Sequence, residues 1–132
     1  MKTIKPILIS AIILIQLSCS KAGPAHNPGL ARIIRFELYT QKDLSDNNGN
    51  VTFSLFIKNR DHILFDSALT VMKIKDIPDS TQKIVFEKRV PKDNGSELAA
   101  GFRYVIEGVG YSSHIDTCKT GQLFKVIKFL FQ

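Results

Sequence analysis

The chain has 132 residues, 44% of them hydrophobic, with nine Phe, no Trp and two Cys, and a formal charge of +6. That length bounds one domain with a single core. Basic and acidic residues alternate, with no cluster of five or more Lys and Arg, so the footprint of a nucleic-acid binder is absent.

The first element is an export signal over residues 1–18. Lys2 and Lys5 precede the apolar run Ile7 to Ile15, and Leu17-Ser18-Cys19-Ser20 closes it with small residues. The run is shorter than the ~20 apolar residues a spanning helix needs. Cys19 sits just past the expected cut, where its thiol can carry a thioether-linked lipid. The ending Ser18-Cys19-Ser20-Lys21 resembles the bacterial lipoprotein signals frequent in Bacteroidota, although Gln16 stands where those signals carry an aliphatic residue. The resemblance implies a palmitate-type lipid on Cys19 and attachment to the membrane. No acidic residue follows within Ser20 to Pro24, and by the same resemblance an outer-membrane location facing the periplasm is expected. Residues 19–29 then form a lipidated Cys and a Pro- and Gly-containing tether. Loss of Lys2 and Lys5 takes the 18 basic residues to 16 against 12 acidic ones, a charge near +4.

Residues 30–132 form the domain, and period-two alternation recurs through it. Ile34, Phe36 and Leu38 alternate with Arg35, Glu37 and Tyr39, and Val51, Phe53, Leu55 and Ile57 with Thr52, Ser54 and Phe56. His62 to Asp66 and Leu69 to Ile77 read as two further strands, with a bulge or bend near Val71 to reconcile their opposite parities. Ile84, Phe86, Lys88 and Val90 share one face, as do Leu98, Ala100, Phe102, Tyr104 and Ile106. Tyr111 to Gly121 holds a strand with His114, Asp116 and Cys118 on one face, and Leu123 to Phe131 is β-branched and aromatic. Turn signals separate them at Asp46-Asn47-Asn48-Gly49-Asn50, Asp61, Pro78-Asp79, Asp93-Asn94-Gly95 and Thr120-Gly121. The fold class is therefore all-β, an antiparallel sandwich of seven or eight strands. Strand number and size resemble immunoglobulin-like or C2-like sandwiches, without the Cys and Trp hallmark of true immunoglobulin domains. The texture Phe36-Glu37-Leu38-Tyr39-Thr40 and Phe53-Ser54-Leu55-Phe56-Ile57 is similar to that of small exported Bacteroidota lipoproteins, a resemblance that carries no activity with it.

Three groups of residues could carry chemistry. His114, Asp116 and Cys118 are suited to zinc or to a Cys–His nucleophile, but residues two apart on a strand project in parallel rather than converging. With Cys19 lipidated, Cys118 has no partner in the chain and is expected in the core. Asp46, Asn48 and Asn50 have the spacing of half a calcium loop, but Val51 stands where the EF-hand loop needs Gly. Tyr39, Phe56 and Tyr111 could stack on a sugar if they shared an exposed face. The reading that follows is a lipid-anchored, non-catalytic envelope module that needs no cofactor or metal. It binds or scaffolds a protein or glycan partner through edge strands and end loops. The candidate surface comprises Asp46, Asn48, Asn50, Tyr111, His114 and Asp116. The alternatives are a carbohydrate-binding module and a small metal- or thiol-dependent enzyme.

Overall fold

The computed structural model describes residues 31–60, 62–91 and 96–132. The signal, Cys19, the tether and the turn signals at Asp61 and Asp93-Asn94-Gly95 lie outside the described residues. Among the described residues the chain forms eight strands: β1 (Arg32–Thr40), β2 (Asn50–Lys58), β3 (Ile63–Ala68), β4 (Met72–Lys73), β5 (Ile84–Val90), β6 (Leu98–Ile106), β7 (Gly110–Cys118) and β8 (Phe124–Phe131). They build two sheets, one ordered β5-β1-β8 and the other β3-β2-β6-β7, with β4 also on β2. The result is the expected β-sandwich.

One pairing departs from the antiparallel expectation. β1 runs parallel to β8, with Phe36 beside Ile127 and Leu38 beside Phe129. A parallel neighbour needs a long crossover, and here the whole chain between the first and last strands supplies it. The region from Leu69 to Ile77 also differs. β3 stops at Ala68, β4 has two residues, and Ile74–Asp76 is a single 3-10 turn. The opposite parities on either side of Val71 reflect this break. The register shift instead falls where β2 meets β3, between Ile57 and Lys58.

The core follows the alternation. Ile34, Phe36, Leu38, Val51, Phe53, Ile57, Leu98, Phe102 and Ile127 are wholly buried. Aromatic rings form a seam between the sheets. Phe129 of β8 has ring centroids 5.4 Å from Phe102, 5.3 Å from Tyr104 and 6.2 Å from Phe53. Phe131 meets Phe53 edge-on at 5.9 Å, and Phe36 of β1 meets Phe102 at 5.6 Å and 88°. Such pairs each add about 0.5–1.5 kcal/mol beyond area burial. The 3-10 turn closes one end, with Ile74 and Ile77 buried; in the 41–50 loop the carbonyls of Gly49 and Asn47 accept the amides of Ile74 and Lys75.

Gly101 decides how closely β6 and β7 approach. A Cβ there would lie 1.9 Å from the carbonyl oxygen of His114, a separation no side chain tolerates. Gly101 also leaves room beside its cross-strand neighbour Phe56. That ring is only 6% exposed although it points to the outer face, an aromatic covering a glycine. Gly101→Ala is therefore expected to force β7 away from β6 and to cost about 3 kcal/mol, read as a lower urea midpoint with native-like circular dichroism below the transition.

Candidate functional site

β7 carries most of the chemically capable residues, and its two faces do different things. Register with β6 places His114 beside Phe102, Asp116 beside Ala100 and Cys118 beside Leu98, all on the inward side. The shared face expected from the sequence is present, but each group has its own partner. The His114 ring stacks on Phe129 at 5.3 Å and 23°. Asp116 binds Lys125 of β8 at 2.8 Å and accepts the amide of Thr117 at 2.7 Å. Cys118 is wholly buried and free, with its Sγ 3.6 Å from the carbonyl oxygen of Gln122. Among the described residues no group of three His, Cys, Asp or Glu side chains is arranged to hold a metal ion.

The electrostatics agree with this arrangement. The hydrogen bond from Lys125 holds the Asp116 carboxyl below its ordinary range, against an opposing contribution from desolvation. Burial pushes the Cys118 thiol up, outweighing the nearby positive charge of Arg32 and Lys125. A thiol raised in this way stays protonated and unreactive. Arg32 is itself buried. Its Nη1 donates to the carbonyl of Ser96 at 2.6 Å, and its Nη2 has no hydrogen-bond partner among the described residues.

The outer side of β7 is open. Tyr111 is 64% exposed and Ile115 54%. With Ser113 they border a shallow groove of about 230 Å³ whose floor is Phe56 and whose far wall is Ile63. Arg103 lies across it, its guanidinium 5.2 Å from the Phe56 ring and paired with Asp66. The pairing of Tyr111 with Phe56 expected from the sequence is present in this groove, whereas Ile63, Arg103 and Ile115 are neighbours that the sequence alone does not single out. For Ile63 and Ile115 the signal is an apolar residue on the outward side of an edge strand, both being exposed.

The loop residues stand apart from that groove. Asn48 gives its carbonyl to the Lys73 ammonium at 3.3 Å, and Asn50 gives its side-chain oxygen to the same group at 3.4 Å. Asn50 also donates to Glu107 at 2.5 Å, which ties the loop to the β6–β7 hairpin. Asp46 is exposed at the loop tip. Of the three side chains with calcium-loop spacing, Asn50 thus has its oxygen engaged by a lysine, whose positive charge stands where a cation would bind. Among the aromatic candidates, Tyr39 lies on the other sheet from Phe56 and Tyr111, so the three do not make one platform. A wider cleft of about 670 Å³ opens at the opposite end, between Lys58, Arg60, Glu97 and Thr120. Its charges are mixed, and Arg60 and Ser96 border residues outside the described set. The chain matches no protein-family model, no curated protein and no solved structure.

Two outcomes follow from this geometry. Cys118 is expected to react with a thiol reagent at pH 8 only as fast as the domain unfolds, and rapidly in urea; fast labelling of folded protein would put an activated thiolate back in play. Asp116 has a depressed folded pKa, so its stabilisation is present above the ordinary aspartate value and fades as pH falls through the folded one. Because the pair is partly solvated, the difference between wild type and Asp116→Asn should stay under about 1 kcal/mol at pH 7 and shrink in acid, measured by urea titration across pH.

Proposed function

We propose that this chain is a lipid-anchored, non-catalytic protein of the bacterial envelope that works as a binding or scaffolding module. The observation that carries the binding part is β7. Among the described residues it is the last strand of its sheet, it holds Tyr111 and Ile115 in solvent, and an edge of this kind can accept a partner's strand while its outward side chains supply selectivity. The inward residues of the same strand are engaged in packing, which favours a structural role for His114, Asp116 and Cys118 over a catalytic one. The anchor rests on the N-terminal pattern and Cys19 alone. In this reading the lipid on Cys19 and the tether place the domain at the outer membrane, on the periplasmic side.

The experiment is the intact mass of the full-length product in a host with lipoprotein machinery. The reading expects a chain beginning at Cys19 with added lipid mass, found in the membrane fraction, and a Cys19→Ala variant that carries no lipid. A lipid-free product from the unaltered chain would overturn the anchor. For the binding part, Tyr111→Lys with Ile115→Lys is expected to leave the fold intact and to remove complexes cross-linked at the membrane. Complexes unchanged by both substitutions would move the binding surface away from β7.

A further inference from the structure

Among the described residues the four principal sheet edges are not protected alike. β5 carries Glu87, Lys88 and Arg89, and β8 carries Lys125 and Lys128. β3 is short, contains Asp66 and meets a register shift. Charges, short length and irregular register are the usual devices that stop an edge from pairing with another chain. β7 has almost none of them. Its nine residues pair with β6 in unbroken register, contain no Pro, and from Gly110 to Ile115 contain no Lys, Arg, Asp or Glu.

The direction of its backbone groups can be worked out. The Thr117 amide is taken by the neighbouring Asp116 carboxylate rather than by β6. The His114 carbonyl oxygen lies toward β6, 1.9 Å from where a Cβ on Gly101 would sit. Successive residues of a strand send their amide and carbonyl groups to alternate sides. Tyr111, Ser113 and Ile115 therefore aim theirs at the open side, while Asp116 caps the row at Thr117.

We propose that β7 pairs with β7 of a second copy of this chain, antiparallel about a two-fold axis at Ser113. This rests on the binding role of β7 proposed above and names its partner. In that register Ser113 faces itself and Tyr111 faces Ile115 of the other copy, on the same outer face. All three are then hydrogen-bonded pairs formed from the backbone groups that are free. Tyr111 beside Ile115 is an aromatic and β-branched pair, among the favourable cross-strand combinations. A two-fold contact must be self-complementary, and an uncharged segment meets itself without like-charge repulsion. Tethering to one membrane surface would raise the local concentration of copies.

Two measurements on the full-length protein in membranes test this. Opposed residues of a hydrogen-bonded pair have Cα atoms about 5.5 Å apart, within reach of a disulfide. Ser113→Cys is expected to give an oxidised dimer in at least about tenfold greater yield than Ser54→Cys on the interior strand β2, with the unsubstituted chain as the control for Cys19 and Cys118. A photo-reactive residue at Tyr111 is expected to give an adduct of twice the chain mass. No excess dimer from a folded Ser113→Cys protein would overturn the pairing. Tyr111 adducts of any other mass would overturn self-pairing while leaving β7 as a binding edge. Absence of any adduct would overturn both.

Discussion

The contact between β8 and β7 is the constraint on which the rest depends. With no disulfide among the described residues, the two sheets are held by packing. Phe129 sits at the centre of that packing, meeting Phe102, Tyr104 and Phe53 and stacking on His114. Lys125 on the same strand reaches Asp116, and Gln122 in the lead-in to β8 receives the Cys118 thiol. Three inward residues of β7 are thereby fixed to one neighbouring segment.

That fixation leaves the most reactive-looking residues engaged in packing. Stacking uses the imidazole face, the ammonium uses the carboxylate, and burial keeps the thiol protonated. It also explains why the open edge can be long and regular. An edge strand anchored along its inner face holds its shape without a second neighbour. Its free amides and carbonyls then stay in a row, backed by a groove in which Arg103 and Asp66 neutralise each other.

Much of the fold was legible in the sequence because half-buried strands impose a period of two. Val51, Phe53, Leu55 and Ile57 read as inward residues and are buried, and the same holds for Leu98, Ala100 and Phe102. Legibility failed where a neighbour outside the strand decides the outcome. Phe56 has outward parity yet is buried, because Gly101 leaves it room and Arg103 covers it. The parallel partnership of β1 and β8 joins the two ends of the domain, and alternation within either strand does not encode it. Leu69 to Ile77 has the composition of a strand, but Ile74 and Ile77 are spent on plugging the end of the sandwich. At the site, the common face of His114, Asp116 and Cys118 followed from spacing alone. Their partners Phe129, Lys125 and Gln122 did not, since those contacts cross from one sheet to the segment forming the other.

The central claim is that the β8 seam holds both the sandwich and the β7 edge. Residue-resolved amide hydrogen exchange on Phe129→Ala, alongside its urea unfolding, tests it most directly. Phe129→Ala is expected to lose about 3–5 kcal/mol in a single cooperative transition, with faster exchange at the β7 amides that face β6. Retention of β7 protection at wild-type levels, or a second transition in which β2 and β6 stay folded without β1 and β8, would contradict it.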